Sequence, residues 1–369
     1  GAVGEVGARL LGALDRPFEL AGRELVVRAT VGAAISGGLR MSVKELLRNA
    51  DAALYSAKRH GKNRLEFFHP EMHVAALERL ALGADLEHAL RRGELFLEYQ
   101  PIVELATGRM VGVESLVRWK HRERGLVPPM DFIRIAEETG LIVGIGRWIL
   151  GEAAGRAAEW VRESPWAFVS VNVSARQLRD PGFLDDVVAA LRAADLDPAR
   201  LVLEFTETSV MEDTDRTMAT FAALKALGVR LAIDDFGTGF SSLSYLHLFP
   251  FDVLKIDGSF VRHTAENGSA EPSGLLRAIV ELGRTMGLEM IAEGVEDAAQ
   301  LATLRALGAH HGQGWLFSPP HTAAWFAGRA RWAEDRLGPD SADLPGVSGA
   351  AGLARRHVAE RPQTAWPPD

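Results

Sequence analysis

Residues 229–259 read VRLAIDDFGTGFSSLSYLHLFPFDVLKIDGS. Two short apolar runs in this stretch, around Leu231–Ile233 and Val253–Ile256, each close on charged residues: Asp234 and Asp235 after the first, Lys255 and Asp257 in and after the second. An apolar run of this length bounded by turn residues reads as a strand buried on both faces. Working outward, the same texture recurs in AFVSVN (167–172), RLVLEFTE (200–207) and LEMIAEGV (288–295). Helix-like stretches follow these runs, and strand-then-helix order repeated several times predicts parallel strands with crossover helices. The region from Asp85 to Ala333 has about the 250 residues of an eight-fold α/β barrel of the TIM type, (β/α)8.

The strand ends carry what interior packing would not select. Glu114 follows MVGV, Asn172 closes AFVSVN, Glu204 sits in LVLEF, Asp234 and Asp235 close RLAIDD, Lys255 sits in VLKID and Glu293 closes EMIAE. Successive positions lie roughly one βα unit of about 30 residues apart, except that 114 to 172 looks like two units. Such strands deliver their last residues to the C-terminal mouth, where barrel active sites lie. Two-residue periodicity puts Val202, Glu204 and Thr206 on one strand face, Ala232 with Asp234, and Val253 with Lys255 and Asp257. Asp234 and Asp235 point to opposite sides unless the chain turns there, and Gly237 and Gly239 predict such a turn.

A single acidic residue after a strand is usually a helix cap or loop residue. Six polar strand ends are different: carboxylates converging on one mouth repel one another, and divalent cations relieve that repulsion. Oxygen ligands with an Asn suit Mg²⁺ or Mn²⁺. The chain has no Cys, which removes disulfides, thiolate nucleophiles and Cys-based metal sites. Two ions about 3.5–4 Å apart are a standard device for in-line attack on a phosphodiester. The residues alone therefore point to a metal-dependent phosphoester hydrolase.

These residues lie in blocks with a family likeness: YQPIVELATGRMVGVESLVRW (99–119), FVSVNVSARQL (168–178), LEFTETSV (203–210), residues 231–261, MIAEGVED (290–297) and HGQGWLFSPP (311–320). In order, they resemble the EAL domain, a bacterial phosphodiesterase that linearises cyclic di-GMP to pGpG. The resemblance implies an EAL-type barrel over 85–333. It implies Glu114, Asn172, Glu204, Asp234, Asp235 and Glu293 as ligands of two Mg²⁺ or Mn²⁺ ions. It implies Lys255 beside the nucleophilic water, Glu293 in proton handling, and Asp257 holding Lys255 in place. Glu207 matches the anchor of the loop from Asp235 to Ser242. Gln100, Leu116, Arg118 and Gln313 match substrate contacts, with Gln313 near the metal-bound water; a surface salt bridge is the alternative for Arg118. The loop implies a homodimer through the EAL domain.

Three departures stand out: Ser115 where the name motif has Ala, Trp315 where Tyr is usual, and His310 beside His311 ahead of Gln313. The histidines are read as solvated or supporting residues, with the rim near Gln313 altered. Two other classes compete with hydrolysis. One is a sensor that binds cyclic di-GMP without turnover. The other is a Schiff-base lyase using Lys255.

At the N-terminus, RATVGAAIS (28–36) and ELLRNADAALYSAKRHGKNRLEFF (45–68) resemble the C-terminal end of a GGDEF, or diguanylate cyclase, domain. The GTP-binding turn of that family does not occur in this sequence, so residues 1–68 are read as an inactive, packing remnant. The expected elements there are a strand in Leu25–Ile35, a helix over 42–60 capped by Ser42 and Glu45, and a strand over 64–68. Residues 69–84 read as a linker helix and 334–369, rich in Gly and Pro, as a flexible tail.

Hydrophobic residues at 47% and charged residues at 24% are ordinary globular values. A net charge of −8 argues against a nucleic-acid polymer as partner. No apolar run reaches the ~18 residues of a membrane span, so no membrane contact is expected from this chain. The chain opens Gly1-Ala2-Val3 without an initiator Met or leader, as expected for a piece of a longer, cytoplasmic protein.

Overall fold

The computed structural model describes residues 2–14, 18–20, 23–25, 27–36, 41–59, 63–162, 167–211, 214–237, 248–266 and 274–327. The expected tail over 334–369 lies outside these residues, as does the loop beyond Gly237 up to Ser242. Contacts divide the chain into two compact units, one over residues 1–85 and one starting at Leu86.

The first unit holds a helix, Ala2–Leu14, and two small sheets. Strands β1 (Phe18–Leu20) and β2 (Arg23–Leu25) pair antiparallel; β3 (Val31–Ala33) and β4 (Leu65–Phe67) pair parallel. The helix Val43–Arg59 connects β3 to β4. It starts as expected: Ser42 Oγ accepts from the Glu45 N–H at 3.2 Å and Glu45 Oε2 accepts from the Ser42 N–H at 2.8 Å, a reciprocal cap. The single strand expected over Leu25–Ile35 is instead the end of β2 and the three-residue β3. A β-rich run becomes strand only where a neighbour pairs with it, and β4 pairs with three residues only. A 19-residue helix, Glu71–Ala89, follows.

The second unit is a closed barrel. Its strands are β5 (Leu95–Glu104), β6 (Met110–His121), β8 (Phe168–Asn172), β9 (Leu201–Thr206), β10 (Arg230–Phe236), β11 (Val253–Ile256), β12 (Glu289–Ala292) and β13 (His311–Gly312), with β7 (Gly125–Val127) and β14 (His321–Thr322) as short additions. Neighbours run β5-β13-β12-β11-β10-β9-β8-β6, and β6 closes the ring on β5.

Two expectations of the eight-fold pattern need correction. First, β5 runs antiparallel to both β6 and β13. Only the short turn Leu105–Arg109 joins β5 to β6, and a turn that short allows no crossover. Second, the interval from Glu114 to Asn172 is one strand step, because β6 pairs directly with β8. The extra length is the β6–β7 hairpin and two helices, Pro129–Thr139 and Leu141–Val161.

The barrel interior is layered. Ile102, Phe168, Val202, Ala232, Val253 and Ile291 form one buried apolar cluster drawn from six strands. Stepping two residues on from Val202, Ala232, Val253 and Ile291 gives Glu204, Asp234, Lys255 and Glu293, so a polar layer rests directly on the apolar one. At Gly112 a Cβ would lie 2.7 Å from the Phe168 ring, so that ring takes the space of the missing side chain.

Candidate active site

Lys255 is the centre of the polar layer and is 1% exposed. Its Nζ lies 2.6 Å from Glu293 Oε1, 2.7 Å from Glu204 Oε2, 3.3 Å from Asp234 Oδ1 and 3.6 Å from Glu114 Oε2. Asn172, at the end of β8, donates its amide to Glu114 Oε1 at 2.7 Å. Gln313 donates to Glu114 Oε2 at 2.6 Å and to Gln100 Oε1 at 2.8 Å. Strand ends spread over two hundred residues of sequence thus meet as expected.

Asp235 joins them by the anticipated turn, which begins two residues before the first of the glycines, Gly237. Its own φ is 53°, in the left-handed region, and the β10–β11 register slips between Ile233 and Phe236. This bulge turns the second carboxylate back toward the first. Gly237, at φ 95°, continues the turn without side-chain strain. As a result, Asp234, Asp235 and Glu293 each offer an oxygen within 4.8 Å of the others.

The electrostatics follow from crowding in a dry interior. Burial is the largest influence on Glu204 and pushes its carboxyl up to about 8; Lys255 opposes this, and Glu114 and Asp234 add to it. Burial and then the Asp234 charge push Asp235 up to about 7. Burial also raises Asp234 and, strongly, Glu293, with Lys255 opposing both. For Lys255 burial acts downward, but Asp234, Glu114, Glu204 and Glu293 outweigh it and hold the ammonium well above its ordinary value. One ammonium cannot neutralise five carboxylates. Glu204 Oε1 is a buried acceptor with no hydrogen-bond donor, and buried Asp234 Oδ1 has only the Lys255 ammonium at 3.3 Å, outside hydrogen-bond geometry. Orphaned acceptors, mutually raised carboxylates and an all-oxygen donor set fit a hard divalent cation, so this cluster can hold a metal ion.

Several expected residues stand elsewhere. Asp257 does not touch Lys255. β11 ends at Ile256, so the two-residue period stops there, and Asp257 Oδ1 instead accepts from the Ser259 N–H at 2.9 Å, capping the helix Gly258–Glu266. Arg118 is clear of the carboxylates; its Nε lies 2.8 Å from Glu98 Oε2 in a half-buried ion pair across β5 and β6. Leu116, between Glu114 and Arg118 on the same strand face, is partly buried. Glu207 is buried as the first residue of the short helix Glu207–Met211. The loop it was expected to anchor lies outside the described residues beyond Gly237.

The expected change at the rim near Gln313 does not come from the histidine pair. β13 is two residues long, and His311 stands opposite Ile291 in the apolar layer, below Gln313. His311 Nδ1 lies 2.8 Å from Glu289 Oε1, and Glu289 also pairs with Arg230, whose guanidinium lies 5.4 Å over the Phe168 ring. Burial pushes Glu289 up, but His311 and Arg230 outweigh it and hold the carboxyl at about 2. His310 Nδ1 accepts from the Met290 N–H at 3.0 Å. Ser115 Oγ donates to the Ser170 carbonyl at 2.8 Å, so this departure ties β6 to β8 and leaves Glu114 in place. Trp315 is 51% exposed.

Sequence reading missed Glu98, Ser318 and His321. Gln100 donates to the Ser318 carbonyl at 3.2 Å, and Ser318 Oγ lies 2.8 Å from His321 Nε2. Ser318 lies 218 positions from Gln100, and no local pattern signals a contact at that range.

Among the described residues no helix is long and apolar enough to cross a membrane. The EAL domain profile matches residues 84–320, and the diguanylate cyclase, GGDEF domain profile matches residues 2–64. The chain is 41% identical over 317 residues to the bifunctional diguanylate cyclase/cyclic di-GMP phosphodiesterase MucR of Pseudomonas aeruginosa, covering 85% of this chain and 46% of that protein. It is 36% identical over 331 residues to the cyclic di-GMP phosphodiesterase PdeR of Escherichia coli, covering 90% and 49%. The chain thus spans about half the length of these curated relatives. Among solved structures, the PaMucR phosphodiesterase in complex with c-di-GMP is 42% identical, covers 67% of this chain and 99% of its own, and superposes with a TM-score of 0.64. The FimX EAL domain from Pseudomonas aeruginosa bound to c-di-GMP is 28% identical, covers 66% and 96%, and has a TM-score of 0.59. With the barrel, its carboxylate-lined mouth and a profile match over most of its length, the chain belongs to the EAL domain family.

Proposed function

We propose that this chain hydrolyses cyclic di-GMP to linear pGpG in a metal-dependent reaction. The observation that carries the reading is the convergence of Glu114, Glu204, Asp234 and Glu293 on the buried Lys255 ammonium, in a chain 42% identical to a phosphodiesterase solved with c-di-GMP. Glu114, Asn172, Glu204, Asp234, Asp235 and Glu293 would hold two Mg²⁺ or Mn²⁺ ions. Those ions supply Lewis acidity toward phosphate oxygens and toward the attacking water.

The chain's own groups do the rest. Lys255 orients the attacking water through an N–H and stays charged because four carboxylates surround it. Glu293 is less buried than Glu204 and accepts the proton that the water loses. Gln100, Leu116, Arg118 and Gln313 face the substrate, with Arg118 pre-aimed by Glu98; a planar guanidinium suits phosphate. Glu207 steadies the turn after Asp235, and a homodimer through the barrel supports activity. Asp257 caps the following helix and adds its charge to the field that raises the Asp235 carboxyl. The chain divides into a GGDEF remnant (1–68), a linker (69–84) whose helix, Glu71–Ala89, runs five residues past its expected end, the barrel domain (85–333) and a tail (334–369). A nucleotide messenger as substrate places the barrel's work in the cytosol.

Chromatography of cyclic di-GMP incubated with the chain and Mg²⁺ or Mn²⁺ tests the reading. A single linear dinucleotide is expected. Tight binding in EDTA without product under either metal would instead make the chain a sensor.

A further inference from the structure

We infer that Ser318 and His321 are positioning residues for the Glu114 carboxylate, acting through Gln100 and Gln313. The inference rests on the reading of the carboxylate cluster as a metal centre and adds residues that reading does not contain.

Hydrogen-bond polarity fixes the direction of every link between Ser318 and Glu114. Glu114 and the Ser318 carbonyl sit at opposite ends of a chain of contacts, and each can only accept. Between them lie two amides. Gln313 must turn its nitrogen toward Glu114 Oε2, at 2.6 Å, and the same nitrogen reaches Gln100 Oε1 at 2.8 Å. Gln100 must then turn its nitrogen to the Ser318 carbonyl, at 3.2 Å. Flipping either amide sets oxygen against oxygen, so both orientations are locked by the two ends. Glu114, Gln100, Gln313 and Ser318 are all buried, and water cannot cheaply replace a broken link.

The outer end is itself held from two sides. Ser318 Oγ lies 2.8 Å from His321 Nε2, and the His321 ring stacks on Trp325 with centroids 4.0 Å apart and planes 3° apart. β14 also pairs with β5, His321 opposite Tyr99, one residue before Gln100. The segment 318–321 therefore fixes both the backbone beside Gln100 and the carbonyl its side chain needs. Partners of metal-binding carboxylates commonly affect metal affinity 10–100-fold when removed.

The test uses the full chain without nucleotide. Ser318→Ala removes the hydroxyl, and His321→Phe removes Nε2 while keeping a ring against Trp325. Mn²⁺ affinity is measured calorimetrically well below each melting temperature. Each variant should weaken binding about 10-fold, the double variant should be no worse than either single, and Ser318→Thr should restore affinity. A purely structural role would lower melting temperature and leave affinity unmoved. As a second measurement on the unsubstituted chain, Mg²⁺ titration should shift the His321 ring ¹⁵N resonances, since coupling is reciprocal. Unchanged affinity in a folded variant, or no His321 shift at saturating Mg²⁺, overturns the inference while leaving the hydrolase reading intact. Failure of the unsubstituted chain to bind either metal overturns both.

Discussion

Lys255 Nζ lies 2.7 Å from Glu204 Oε2, and neither side chain is more than 1% exposed. Burial pushes the Glu204 carboxyl up to about 8 against the pull of Lys255, so the pair is fully ionic only above that pH. Removing the cation leaves Glu204, Asp234 and Glu293 to repel one another in low dielectric. Above pH 8, Lys255→Met should therefore cost about 3–5 kcal/mol in metal-free protein. Mg²⁺ should recover much of this loss in thermal melts, and activity should stay at least 100-fold down.

Asp234→Asn should separate stability from function. The Asp234 carboxyl is raised by burial, so a neutral isostere relieves the metal-free fold, while Lys255 keeps three carboxylate partners. The expected result is a higher melting temperature in EDTA, together with loss of the metal-induced increase and of turnover. A variant that still gains stability from Mn²⁺ as the parent does would remove Asp234 from the metal centre.

Metal-free stability should fall as pH rises from about 5 to 8. Glu204 titrates at 4.5 in the unfolded chain and about 8 in the fold, and Asp235 at 3.8 and about 7. Both pKa values are raised, so their contribution is full below the unfolded value and is lost as pH climbs through the folded one. Glu289 acts in the opposite sense: lowered from 4.5 to about 2, its contribution is present above 4.5 and is lost as pH falls toward 2. Stability in EDTA should thus peak in mild acid. Saturating Mg²⁺ should flatten the alkaline limb, as scanning fluorimetry across pH would show.

Asp257→Ala should cost about 1 kcal/mol and Asp257→Asn much less, because Asn caps a helix nearly as well. Equal losses from both in denaturant titration would mean that the Asp257 charge, not its cap, matters.

The sequence made the carboxylates legible because strand ends recur with a simple period and carry residues that cores reject. Asp235 was legible as a conditional: it reaches Asp234 only if the chain turns, and the positive φ supplies that turn. Asp257 misled because the two-residue period holds only while a strand lasts, and β11 stops at Ile256. The reversed β5 and the padded step from β6 to β8 were hidden for a related reason. Spacing counts residues and cannot distinguish a crossover helix from a hairpin with two helices. The histidine pair was legible as solvated or supporting, with His310 exposed and His311 beside Glu289, but its place was not: β13 has only two residues, and that shortness puts His311 on the floor, away from the rim. Ser318 and His321 carry no signal in one dimension, since their partner Gln100 lies at the other end of the domain.

The apolar layer of Ile102, Phe168, Val202, Ala232, Val253 and Ile291 makes the barrel a cup and not a pipe. Phe168 stoppers it beside Gly112, and Arg230 with Glu289 seals the underside. Traffic of solvent, protons and small molecules is therefore one-ended. Whatever leaves the carboxylate cluster departs by the way its predecessor arrived, so release and admission compete for a single doorway.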